Sequence, residues 1–197
     1  VDATGRTSVA GDLALVAVFG ALITAFSIVP AIPIGIGVPI TLQTLAVVLA
    51  GLVLGPWRGF LATLLYIAVG LAGLPVFAAG VAGPAVFGKA SIGYLLAFPL
   101  GALLAGLIAK LVVNWRGAKQ YLGFFIAGLA ASVVIHGFGI VGLILGVAHL
   151  APSAAFLVDL AFWPGDLAKM FVAAAIAVAV HRAFPAVLGT RRVPVTA

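Results

Sequence analysis

The chain has no cysteine, no glutamate and a single methionine, and only 7% of its residues are charged. The missing cysteine excludes disulfides, thiolate metal sites and a cysteine nucleophile. The missing glutamate leaves the acidic chemistry to four aspartates. Walker, G-x-S-x-G and H-E-x-x-H sequences are absent, no histidine pair has metal-ligand spacing, and the aspartates form no metal cluster. Neither an enzyme nor a bound cofactor or metal is expected. The shortage of charge is the most restrictive absence. A soluble domain carries roughly a quarter of its residues charged. At 65% hydrophobic and a mean hydropathy of +1.37, this chain meets lipid over most of its exterior.

The predicted fold is an all-α integral membrane protein with six transmembrane helices in one membrane domain, 1–197. The expected spans are about 12–29, 38–54, 60–74, 91–113, 121–147 and 160–182. Residues 1–11 read as a short polar cytoplasmic tail, not a secretory signal, and residues 183–197 as a second tail. No large extramembrane domain is expected. Pro30-Ala31-Ile32-Pro33-Ile34-Gly35-Ile36-Gly37 reads as an uncharged irregular loop. Gly55-Pro56-Trp57-Arg58-Gly59 reads as a tight interfacial turn. Residues 75–90 are rich in glycine yet too apolar for a solvated loop. A re-entrant or capping segment buried against protein is expected there. The polar stretch 114–119 and Pro152-Ser153 are placed in loops. The fifth span is long enough to tilt or to kink near Gly137 and Gly139.

The net charge of +6 and pI near 10.4 raise nucleic acid as a partner. The charges form no solvated face, and basic loop ends on a membrane protein explain them better. Six spans put both termini on one side. That side collects Arg6, Arg58, Lys110, Arg116, Lys119, Arg182, Arg191 and Arg192, so both termini are expected to be cytoplasmic. The apolar loops 30–37 and 75–90 then fall at the outer face, with Asp166 and Lys169.

Asp166 and Lys169 open the last span, three residues apart and so on one helix face. Charges inside a membrane segment are costly and usually functional. The bland alternative is a structural ion pair, and the rival functional one is a proton relay. A substrate-binding pair would suit a small molecule with an amide-like head and an acidic tail. Gln43, Lys89, Ser91 and Tyr94 lie near the same end, each with a plainer reading as helix contact, solvated charge or interfacial anchor. Phe77, Phe87, Phe162 and Trp163 could together wall a hydrophobic ring system. His136 reads as a hydrogen-bonded helix contact, and His149 and His181 as interfacial. Ala17, Ala21 and Ala25 make a small-residue stripe, either for packing inside the bundle or for docking a membrane partner.

Several stretches carry a family resemblance. They are Val38-Pro39-Ile40-Thr41-Leu42-Gln43-Thr44-Leu45 followed by Ala50-Gly51-Leu52-Val53-Leu54-Gly55, Gly70-Leu71-Ala72-Gly73-Leu74-Pro75-Val76-Phe77, Gly93-Tyr94-Leu95-Leu96-Ala97-Phe98-Pro99, and Pro164-Gly165-Asp166-Leu167-Ala168-Lys169. Together they resemble BioY, the biotin-specific membrane subunit (S component) of energy-coupling factor (ECF) transporters. The chain departs from the family at Lys89-Ala90-Ser91-Ile92-Gly93-Tyr94, where Gly-Pro-Thr-Gly-Gly-Tyr is common. The resemblance implies a six-helix bundle in the bacterial inner or plasma membrane that takes biotin from outside as transported ligand. It implies a coupling transmembrane subunit and two ATPase subunits as partners, met through the Ala17, Ala21, Ala25 stripe. With biotin as ligand, the expected contacts are Asp166 with the ureido N–H groups and Lys169 with the carboxylate or with Asp166 itself. Which of the two charges meets which end of the ligand is left open. Alternatives left open are an S component for another vitamin, a stand-alone proton-coupled carrier, and a homo-oligomeric state.

Overall fold

The computed structural model describes residues 8–29, 38–185 and 187–188. The expected loop at 30–37, and Arg6, Arg191 and Arg192, lie outside the described residues. Ser8 caps α1 (Val9–Ile28), its Oγ accepting from Gly11 N at 3.1 Å, with Asp12 in the first turn. Next come α2 (Gln43–Leu54) and α3 (Pro56–Leu71). The turn expected at 55–59 is shorter than that. Gly55 alone makes it, at φ 84°, and Pro56 already occupies the first position of α3. Proline is favoured there because its missing N–H has no helical partner to lose.

Two 3-10 turns, Ala78–Gly80 and Gly83–Gly88, occupy the stretch 75–90. They bury Val76, Phe77 and Val86 against the bundle, as a capping segment would. Then follow α4 (Ile92–Val112) and α5 (Ala118–Leu145), the latter running unbroken through Gly137 and Gly139. The last span differs from expectation. Pro152-Ser153 starts a short helix, α6 (Pro152–Leu160), and α7 (Trp163–Ala183) begins only after a break at 161–162. Pro152 and Pro164 each sit in a helix's first turn, so both starts obey the same rule.

Among the described residues four helices, α1, α4, α5 and α7, are long and apolar enough to cross a membrane. The second and third expected spans, α2 and α3, are shorter apolar helices. α2 is the central element. Nearly every one of its residues is buried, which is why its sequence is apolar all round instead of on one stripe. α4 lies along α5, α1 along α3, and α7 against α2 and α5.

Small residues let these backbones approach. A Cβ on Gly106 would collide with the backbone of Gly55 and Pro56, whereas one on Gly137 meets open space. Gly106→Ala is therefore expected to destabilise the fold by about 1–3 kcal/mol through overpacking. Gly137→Ala, inside α5, is expected to stabilise it by about 0.5–1 kcal/mol. Thermal unfolding of the purified variants in detergent checks the opposite signs.

Two buried apolar clusters fill the bundle. One, around Leu52, Phe124 and Val178, serves the end where Arg58, Lys110 and Lys119 lie at helix termini. The other, around Val47, Tyr66, Tyr94, Ile135 and Phe162, serves the opposite end, where α2, α4 and α7 begin. The polar site sits in this second cluster.

Candidate functional site

Three helix N-termini converge at the site, and the partial positive charge of each favours a carboxylate nearby. Asp166, in the first turn of α7, is buried at 3% exposure. Its Oδ1 accepts from Lys169 Nζ at 2.6 Å and from Thr44 Oγ1 at 2.9 Å. Lys169 Nζ also donates to Thr44 Oγ1 at 3.2 Å. One turn of α7 and the start of α2 thus share a three-membered polar knot.

The other oxygen of Asp166 faces α5. His136 Nε2 lies 2.8 Å from Asp166 Oδ2, and His136 Nδ1 lies 2.6 Å from Asp159 Oδ1. Asp159 is 1% exposed. It accepts in addition from Tyr94 OH at 2.9 Å and from Trp163 Nε1 at 3.0 Å. The Trp163 ring stacks on the His136 ring at 4.7 Å between centroids, 23° between planes. α2, α4, α5, α6 and α7 all contribute to this network.

A second knot borders the first. Gln43 Nε2 donates to Tyr66 OH at 2.7 Å and to Ser27 Oγ at 3.1 Å, while Thr41 Oγ1 donates to Gln43 Oε1 at 3.0 Å. Ser27 Oγ and Tyr66 OH both donate to Val76 O, at 2.5 and 3.2 Å. The capping segment is thereby fastened to α1, α2 and α3 at its first residues. Burying these groups is tolerable because each finds a partner.

Between the two knots lies a cavity. α2 and the residues before it contribute Val38, Pro39, Thr41, Gln43 and Thr44, and α7 contributes Asp166 and Lys169. The capping segment contributes Phe77, Ala78, Val81, Val86 and Lys89, and Ser91, Tyr94, Leu95, Phe98, Tyr66, His136 and Phe162 complete the wall. Apolar walls around a few convergent polar groups are the usual form of a small-molecule site.

Eight of the residues singled out from sequence as candidate ligand contacts line this one cavity: Gln43, Phe77, Lys89, Ser91, Tyr94, Phe162, Asp166 and Lys169. Two do not. Phe87 follows the buried Val86 in a 3-10 turn and points away, 52% exposed. A turn of three residues sends neighbouring side chains in different directions. Trp163 is held behind the wall by its bond to Asp159 and its stack on His136. His181 also differs from its expected interfacial place. It is buried, its Nε2 lying 2.9 Å from Leu52 O. His149 is exposed, just beyond α5. Ala17, Ala21 and Ala25 are exposed while Gly20, Ile23 and Ser27 face the bundle, so the stripe is not used for internal packing.

Thr44, Tyr66, Ser27 and Asp159 belong to these networks and were not singled out from sequence. Asp159 had the clearest signal, being one of four aspartates in an otherwise apolar stretch, two helical turns before Asp166.

Apolar helices packed around a polar, segment-capped cavity define a multi-pass membrane protein whose cavity has the form of a small-molecule site. The chain belongs to the BioY family, whose family description matches residues 3–186. It is thereby a transport protein and not an enzyme. It is similar to the biotin transporter BioY of Rhizobium etli, 39% identical over 178 residues that cover 88% of this chain and 95% of that one. Similarity to the biotin transporter BioY of Rhodobacter capsulatus is also 39% identity, over 189 residues covering 91% and 98%. Its fold matches the crystal structure of the S-component for biotin from an ECF-type ABC transporter. The TM-score is 0.79 at 28% identity, covering 87% of this chain and 90% of that chain.

Proposed function

We propose that the chain is the biotin-binding S component of an ECF-type transporter, and that the cavity between the Asp166 and Gln43 knots is its ligand site. The observation that carries this reading is the pairing of Asp166 with Lys169 at the cavity wall. A ureido ring presents N–H donors beside a carbonyl acceptor. Asp166 offers acceptor lone pairs. Lys169 has three N–H donors, two of them engaged with Asp166 and Thr44, and the third is left for the ureido carbonyl. Phe77, Val86, Phe98 and Phe162 cover the apolar rings. Tyr94, Ser91 and Gln43 supply the remaining polar wall.

Lys89, the other lysine lining the cavity, meets the valerate carboxylate. Lys89→Ala is expected to weaken biotin binding by roughly 10- to 100-fold, the worth of one charge-assisted hydrogen bond. It should leave the affinity for biotin methyl ester unchanged. Equal losses for acid and ester, measured by calorimetry, would remove Lys89 from this role.

The wider arrangement follows from the same reading. The chain forms a single membrane domain in the bacterial inner or plasma membrane, with both termini cytoplasmic. Arg58, Lys110, Arg116, Lys119 and Arg182 then face the cytoplasm and the cavity faces outward. A coupling transmembrane subunit docks on the exposed stripe Ala17, Ala21, Ala25, and two ATPases supply the energy. Biotin uptake into proteoliposomes tests this. Uptake should require the coupling subunit, the ATPases and ATP, and should survive a proton uncoupler. Uptake by the chain alone, abolished by an uncoupler, would contradict it and favour a proton-coupled carrier.

A further inference from the structure

His136 touches two buried carboxylates at once, and hydrogen-bond chemistry restricts what it can be. An ionised carboxylate only accepts, and a neutral imidazole has one N–H. Both ring nitrogens stand within hydrogen-bond distance of a carboxylate oxygen, 2.6 Å from Asp159 and 2.8 Å from Asp166. A neutral ring would press one bare lone pair against another at one of these contacts. Transferring the extra proton to Asp159 does not fit well, because Tyr94 OH and Trp163 Nε1 already donate to its two oxygens. The Trp163 face stacked on the ring suits a cation, as the electron-rich face of an indole attracts positive charge. The charges also balance: Asp159 and Asp166 against His136 and Lys169. A buried cluster of zero net charge is what an apolar surrounding tolerates.

We propose that His136 is a buried imidazolium that acts as a positioning residue for ligand binding, clamping Asp166 Oδ2 from behind so that the carboxylate keeps one orientation toward the cavity. Asp159, with Tyr94 and Trp163 on its oxygens, holds the imidazolium in place. α6 exists in this scheme to deliver Asp159 to the ring. His136 lines the cavity, but its two nitrogens are turned to the two aspartates, so its effect on the ligand runs through Asp166.

The inference rests on the reading of Asp166 as a ligand contact, and the test separates the two. The chain has three histidines, so the ring signals of the 15N-histidine-labelled full-length protein can be assigned by comparison with His136→Gln. Both His136 nitrogens should show the protonated signature at neutral pH, with or without biotin. One bare nitrogen would overturn the imidazolium regardless of any binding result. Biotin affinity is then measured in a double-mutant cycle. His136→Gln should lose about 10-fold or more, from removal of a charge-assisted hydrogen bond to Asp166. The double variant with Asp166→Asn should bind no more weakly than Asp166→Asn alone. Losses that multiply, or wild-type affinity in His136→Gln, would overturn positioning. Wild-type affinity in Asp166→Asn would remove the ligand reading, and the positioning role with it, while leaving the ring signature to stand by itself.

Discussion

Asp166→Asn is expected to weaken biotin binding by roughly 100-fold, the upper part of what one charge-assisted hydrogen bond contributes. The substitution keeps the shape and removes both the charge and one acceptor. Three donors now converge on the Asp166 oxygens: Lys169 Nζ, Thr44 Oγ1 and the His136 ring. An amide cannot serve them all. Turned one way, its NH2 group faces the lysine and threonine, donor against donor; turned the other, it faces His136 Nε2, which accepts only if the ring gives up a proton. The remaining lone-pair space proposed for the ureido N–H groups is lost as well. Calorimetric titration of the purified variant measures the loss, and a cooperative unfolding transition well above the titration temperature, even at a lowered midpoint, shows that it is not a failure to fold. An affinity within threefold of wild type would take Asp166 out of the site.

The second large effect falls on stability. Asp159→Ala is expected to destabilise the fold by about 3–5 kcal/mol, the usual cost of removing one partner from a buried ion pair. The carboxylate it deletes is 1% exposed and receives Tyr94 OH, Trp163 Nε1 and His136 Nδ1. All three donors are then stranded away from water, and the cluster carries an uncompensated positive charge. At about 2–4 °C per kcal/mol for a chain of this length, the unfolding midpoint should fall by roughly 6–20 °C. Tyr94→Phe removes only one donor and should cost far less, about 1 kcal/mol. A midpoint for Asp159→Ala equal to that of Tyr94→Phe would mean that the network is not held through Asp159.

Sequence reasoning reaches the parts of this protein that composition and local chemistry control. The shortage of charge leads to a membrane protein, and the apolar runs lead to helices at 91–113 and 121–147 that differ from α4 and α5 by a few residues. Asp166 and Lys169 stand out because charges in apolar runs are rare. Their contact is legible because a separation of three on a helix is a neighbour relation. The bent end of the chain is harder. α6 ends and α7 starts around 161–162 with no glycine at the break, so an apolar run that continues in sequence is interrupted in space. The side chains that support Asp166 are harder still. His136, Asp159 and Thr44 come from three elements between 7 and 122 positions away from it. No local period connects them. Trp163 shows the same limit: its place beside Asp166 in sequence suggests the cavity wall, and its bond to Asp159 puts it behind that wall.

The most direct test of the ligand site is an equilibrium titration of the purified chain in detergent with biotin and, separately, with a panel of other vitamins. One biotin should bind per chain, displaced by unlabelled biotin and by no other vitamin, and Asp166→Asn should abolish high-affinity binding. Tighter binding of a different vitamin, or biotin binding that is indifferent to Asp166, would contradict the assignment of this cavity to biotin.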